Sequence, residues 1–205
     1  MGFYDRVIGP ALIACACSAR PIARQREKVA PLAAGEVLEL GMGAGANLPF
    51  YDRSRVTGVH AVEPSAAMRR RAEAAAVATA LPVTILDGVG EQLPFDAGRF
   101  DCVLCTYTLC TVQDVARTLA EARRVLKPGG RFLFCEHGAA PDADVARWQR
   151  RIEPIWKPIG GGCHLTRHPG EAIRAAGFAV SWQDQFYLPG TPRPMGWTEW
   201  GEALA

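Results

Sequence analysis

Residues 39–51 read ELGMGAGANLPFY, and Gly41, Gly43 and Gly45 follow directly on an apolar run, Glu36 to Leu40. Glycine loses more conformational freedom on folding than any other residue. A cluster of it therefore needs a backbone at φ > 0, or one approached so closely that no side chain fits. A glycine loop between a first strand and a following helix is the ligand crevice of a doubly wound sheet. Backbone amides and a helix N-terminus face the ligand there.

The rest of the chain has the alternation such a sheet requires. Glu36 to Leu40, Thr57 to Val62, Pro82 to Leu86, Phe100 to Cys105 and Arg131 to Glu136 read as short strands, and Ser65 to Ala80 and Asp114 to Leu126 as helices. Short runs with apolar character on both faces, separated by helices, predict a parallel sheet covered on both sides. Pro128-Gly129-Gly130 ends the second of these helices, because the residue before proline is pushed out of helical space. Beyond the fifth strand come a helix from Asp142 to Glu153, a loop at Gly160 to Gly162, and a helix from His168 to Ala176 capped by Gly177. Phe178 to Phe186 has strand character, and the proline- and tryptophan-rich end closes the sheet with an antiparallel strand. The expected architecture is one α/β domain over residues 1–205, built on a doubly wound, mostly parallel seven-stranded sheet. Residues 35–136 form the ligand-binding core and residues 137–205 the acceptor side.

At 205 residues, 49% apolar and 21% charged, the chain suits one soluble globular domain, and a net charge of +2 without a concentrated basic face excludes a nucleic-acid partner. Seven cysteines, an odd number with several in buried-strand runs, point to reduced thiols in a cytoplasmic setting. The apolar stretch Val7 to Ala19 is interrupted by Gly9-Pro10 and falls short of the roughly 20 residues that span a bilayer. Asp5 ahead of it and the helix formers behind it argue against a cleaved signal. Residues 1–30 carry five basic and two acidic groups, which leaves two readings: a helical lid on the core, or a helix in peripheral contact with the inner membrane surface.

Glu63, 22 residues after Gly41, ends the second strand and is placed to accept hydrogen bonds from the two hydroxyls of a ribose. A ribose does not name the ligand. Gly41-x-Gly43-x-x-Ala46 also fits the dinucleotide fingerprint, so an NAD(P)-dependent oxidoreductase stays open. Against it stands Glu39, whose negative charge repels a pyrophosphate and favours a cationic sulfonium or ammonium.

The segments Gly90 to Phe95, Arg99 to Cys105 and Ala122 to Phe132, in that order after the glycine loop, resemble class I methyltransferases that use S-adenosyl-L-methionine. The resemblance implies that the loop Glu39 to Gly45, with Gly41, Gly43 and Asn47, wraps the amino-acid part of the cofactor. It implies further that Glu63 binds ribose, with Pro64 and Met68 as neighbouring contacts. Asp87, Gly90 and Glu91 would line the adenine, and the end of the fourth strand, Thr106 and Leu109, would pass beneath the methionine portion. Many relatives carry Asp-Ala where this chain has Val89-Gly90, so the adenine contact falls to backbone at Gly90 or to Asp87.

Cys105 to Val112, Glu136 to Ala140, Trp148 to Trp156 and Gly162 to Arg167 resemble more closely the thiol S-methyltransferases of the methyltransferase-like 7 group. The implied acceptor is a small or amphipathic thiol. Phosphatidylethanolamine or a quinone is the runner-up, and a module that holds the cofactor without turnover is a third reading. A thiol reacts as its thiolate. His137 and His164 are candidates to remove its proton, with Glu136 orienting one of them. Cys102-x-x-Cys105 has a zinc-like spacing, but residues three apart on a strand point to opposite faces, so no metal site is expected. Cys110 and Cys163 line the acceptor mouth as small groups, and Trp148, Trp156, Phe50 and Tyr51 are packing residues or an apolar acceptor wall.

Overall fold

The computed structural model describes residues 19–205. The apolar runs pair as five parallel strands: β1 (Gly35–Leu40), β2 (Val56–Val62), β3 (Val83–Leu86), β4 (Phe100–Thr106) and β5 (Leu126–His137). β6 (Ala179–Tyr187) and β7 (Trp197–Leu204) complete the sheet, β7 running antiparallel to both its neighbours. The order is β3-β2-β1-β4-β5-β7-β6. The chain winds outward from β1 to β3, then crosses back to lay β4 against the other edge of β1. The crevice of a doubly wound sheet opens at that reversal, outside the carboxyl ends of β1 and β4.

The helices are α1 (Arg20–Val29), α2 (Ala66–Val77), α3 (Val115–Val125), α4 (Ala143–Ile159), α5 (Pro169–Ala175) and the short α6 (Arg193–Gly196). Ser65 caps α2 by accepting from the Met68 amide at 3.4 Å, and Asp114 caps α3 by accepting from the Arg117 amide at 2.9 Å. Side-chain alternation along the strands divides the core into two layers. Leu38, Leu40, Val103, Cys105 and Phe134 pack with Leu119 of α3 and Ile173 of α5. Val37, Val59, Cys102, Leu104 and Leu133 pack on the other face with Val29 of α1 and Ala72 of α2. Cys102 and Cys105 thus stand on opposite faces of the sheet, as their spacing requires.

Two boundaries differ from the sequence expectation. β5 begins at Leu126 rather than Arg131, so Pro128 lies at the start of a strand. α4 continues to Ile159 through Pro154 and Pro158 instead of ending at Glu153. A proline inside a helix costs about 3 kcal/mol, and packing on both sides of Pro154 outweighs it. Gln149 accepts from the Ala140 amide and donates to the carbonyls of Gly138 and Pro194. Ile152 and Trp156 pack against Cys110, Cys163 and Leu165. Nearly all of the stretch Val7 to Ala19, with Cys15 and Cys17, lies outside the described residues. The described part of residues 1–30, α1, turns Gln25, Arg26 and Val29 into the protein. Among the described residues no helix is long and apolar enough to cross a membrane.

Phe134 is 0% exposed at the centre of β5. Phe134→Ala is expected to lower the unfolding free energy by about 3–5 kcal/mol, read as a lower urea midpoint with an unchanged slope.

Candidate active site

All three loop glycines have left-handed backbones, with φ of 65° at Gly41, 58° at Gly43 and 80° at Gly45. Their surroundings differ. A Cβ on Gly41 would stand 2.6 Å from Thr108 Oγ1, and one on Gly45 would stand 2.9 Å from Leu48 Cδ1. Around Gly43 nothing lies within 4 Å of that position. The outer glycines answer to packing, whereas the middle one faces open space. Beside it, Glu63 accepts from the Gly43 amide at 2.9 Å and from the Ser65 amide at 2.8 Å. Burial raises the pKa of this carboxyl while the two backbone amides oppose the rise. Each oxygen accepts one bond, and a carboxylate has roughly four acceptor sites, so capacity remains for a further pair of donors.

Beneath the loop lies a buried polar network. Glu39, 1% exposed, accepts from Asn47 Nδ2 at 2.8 Å and from the Tyr51 hydroxyl at 2.7 Å. Arg26, reaching in from α1, donates to Asn47 Oδ1 at 2.9 Å and to Thr106 Oγ1 at 2.5 Å, and Asn47 also donates to Thr106 Oγ1 at 2.9 Å. Burial raises the pKa of Glu39, countered by Tyr51, Asn47 and the Arg26 charge. Glu39 thus holds Asn47, and hence the loop, from beneath. Arg26 carried no sequence signal, since an arginine in an N-terminal helix reads as a solvated one.

The segment leaving β4 is the second wall. Tyr107 has φ of 54°, rare for a residue with a side chain, and its amide donates to the Cys135 carbonyl at 2.9 Å. Glu136, 0% exposed, accepts from the Thr108 amide at 2.8 Å and the Cys110 amide and the Cys105 thiol at 3.4 Å each. Burial pushes its pKa up to about 7 despite these bonds. Glu136 therefore fixes the turn after β4 and orients no histidine, a correction to the sequence expectation. His137 stacks obliquely on Tyr107 with ring centres 4.9 Å apart, and burial lowers its pKa to about 4.

His164 is held by a residue that sequence reasoning missed. Its Nδ1 lies 3.0 Å from Glu153 Oε1, and Glu153 Oε2 accepts from the amides of Leu165 at 2.8 Å and Thr166 at 2.9 Å. The His164 amide donates to the Cys110 carbonyl at 2.8 Å, and Arg167 donates to the carbonyls of Leu109 and Val112. Residues 107–112 and 163–167 are thereby one bonded unit. Cys110 and Cys163 meet within it, and the Cys110 side chain lowers the Cys163 thiol pKa.

The expected adenine side is arranged differently. Asp87 pairs with Arg69 at 2.9 Å, and Arg69 also donates to the carbonyls of Glu63 and Pro64. A Cβ on Gly90 would stand 2.8 Å from Thr118 Cγ2, so α3 packing explains that glycine. Glu91 accepts from the amides of Gln113 at 2.8 Å and Asp114 at 3.1 Å. These lie at the N-terminal end of α3, where backbone donors lack helical partners, and Glu91 is a helix-end anchor rather than a free cofactor ligand. Met68 and Leu109 are buried, Leu109 within the α3 layer of the core.

Residues 38–134 match the family model described as a methyltransferase domain. The chain is 38% identical over 169 residues to thiol S-methyltransferase TMT1B of Rattus norvegicus, spanning 78% of this chain and 68% of that protein. The chain belongs to the methyltransferase domain family. It is also 31% identical over 166 residues to demethylmenaquinone methyltransferase of Thermobifida fusca, spanning 79% of this chain and 68% of that one. A solved SAM-dependent methyltransferase from Thermotoga maritima shares the fold with a TM-score of 0.68 at 20% identity, over 98% of this chain and 97% of that one. This class I methyltransferase is thus an S-adenosylmethionine-dependent enzyme, and the nicotinamide reading of its glycine loop falls away.

The buried pair Glu136 and His137 has opposed effects on stability. The fold raises Glu136 from 4.5 to about 7, so the native state binds the extra proton and this residue's contribution falls as pH rises through that window. His137, lowered from 6.5 to about 4, contributes a rise with pH between those values. Glu136→Gln removes only the first. The difference in unfolding free energy between the native methyltransferase and this variant should fall by about 3 kcal/mol from pH 4.5 to 7 in denaturant titrations. A flat difference would refute the buried-carboxyl account.

Proposed function

We propose that the crevice between Gly43 and Glu63 holds S-adenosylmethionine and that the acceptor is a small or amphipathic thiol. The observation that carries the cofactor reading is the open space over a left-handed glycine beside a carboxylate with spare acceptor capacity. When bound, S-adenosylmethionine supplies a methyl group on a sulfonium, already activated for in-line displacement. The protein's work is then alignment and exclusion of water. Glu63 accepts from the ribose hydroxyls, and the Glu39–Asn47–Arg26 network keeps the loop from moving. The turn after β4, pinned by Glu136 and Arg167, forms the floor on which the acceptor is aligned.

The thiol reading is supported by the 38% identity to a thiol S-methyltransferase, against 31% to the quinone enzyme. Of the two candidate bases, His164 is the better suited. Glu153 steadies its Nδ1 side, which leaves Nε2 to take the thiol proton, whereas His137 has been made a weak base by burial.

Glu63→Ala is expected to weaken S-adenosylmethionine binding by about 1–3 kcal/mol in calorimetry, and Gly43→Val to abolish it by filling the open space and straining the left-handed backbone. Unchanged affinity in Gly43→Val would count against the assignment. With an alkyl thiol, the enzyme should release S-adenosylhomocysteine faster than with a quinol or phosphatidylethanolamine. His164→Gln is expected to lower that rate about 10²-fold near neutral pH, with the deficit closing above the thiol's own pKa of about 8.5. A deficit that persists at high pH would remove His164 from the role of base.

A further inference from the structure

Six large apolar side chains are exposed among the described residues, and three of them, Trp148 (56%), Ile155 (69%) and Ile159 (55%), lie on α4. Spaced seven and four residues apart, they form one stripe along the helix. Arg151 stands between Trp148 and Ile155, its guanidinium 5.9 Å from the Trp148 ring centre, and Arg147 and Asp144 complete a shallow hollow around that ring. Arg150 and Lys157 are exposed as well, on the side of the helix away from the stripe. None of these four cations takes part in an ion pair among the described residues. Of the two acids on the helix, Glu153 is turned inward to residues 164–166, which leaves Asp144 as the acid on the outward side.

The inward face needs nothing further. Val145 and Gln149 are buried, and Ile152 and Trp156 pack against the acceptor-side cluster. Among the described residues the outward stripe has no partner. We propose that this face of α4 docks on an anionic lipid bilayer, with Trp148, Ile155 and Ile159 in the headgroup boundary and the flanking Arg147 and Arg151 on lipid phosphates. An apolar stripe edged by arginine, with a tryptophan at the boundary, is the pattern of an in-plane interfacial helix. A second copy of the chain related by a two-fold axis would bring the unpaired cations together, whereas a negatively charged surface over an apolar interior satisfies stripe and cations at once. The contact is distinct from any made by residues 1–18.

Co-sedimentation of the full chain with vesicles tests this. The protein should pellet with phosphatidylcholine vesicles containing phosphatidylglycerol far more than with phosphatidylcholine alone, and salt should weaken the binding. Two exposed-site variants, Trp148→Ser/Ile155→Ser/Ile159→Ser and Arg147→Glu/Arg151→Glu, should each reduce binding to the mixed vesicles at least about tenfold with unchanged circular dichroism and melting temperature. The proposal is overturned if the native chain fails to pellet with anionic vesicles, or if both variants pellet as the native chain does. It is overturned equally by a vesicle-free dimer that the triple serine variant dissociates, since a second copy would then cover the stripe.

Discussion

A buried string of hydrogen bonds from Tyr51 through Glu39, Asn47 and Thr106 to Arg26 ties the glycine loop to β1, to the end of β4 and to α1. Every member is removed from water, so loss of one partner leaves an uncompensated charge or donor, a defect of about 1–3 kcal/mol. The loop's position is consequently overdetermined. Thr108 and Leu48 close on the outer glycines, and the open space is confined to Gly43, next to Glu63. On the proposed reading, a methyl donor would meet a cradle that is already in place, as an enzyme working mainly by alignment requires.

What was legible in the sequence is what depends on periodicity and on glycine. The seven strands, the antiparallel closing strand, the left-handed backbone of the loop glycines and the separation of Cys102 from Cys105 all follow from local rules. The charged residues were less legible, because their partners are set by tertiary folding. Glu91 opens the stretch Glu-Gln-Leu-Pro yet bonds to amides 22 and 23 residues later. Glu136 adjoins His137 in the chain and turns instead to the backbone after β4. Glu153 stood at the expected end of the helix from Asp142, and is the carboxylate that holds His164. Arg26 completes the cofactor-loop network from α1, on the far side of the glycine motif in sequence.

The proposed donor and acceptor sides are built by different devices. The first is a backbone loop backed by a charged network. The second is two irregular segments, 107–112 and 163–167, made into one surface by Glu136, Glu153 and Arg167. Irregular segments of this kind tolerate substitution more readily than strands. α4 joins this surface to the outside, its inner face on the Cys110–Cys163 cluster and its outer face carrying the exposed stripe.

The most direct measurement is a crystal structure of the enzyme with S-adenosylhomocysteine. The account predicts electron density for the ligand over Gly43, with the ribose hydroxyls on Glu63 and the sulfur end turned toward residues 107–112. Density at any other place, with that space filled by solvent at saturating ligand, would contradict it.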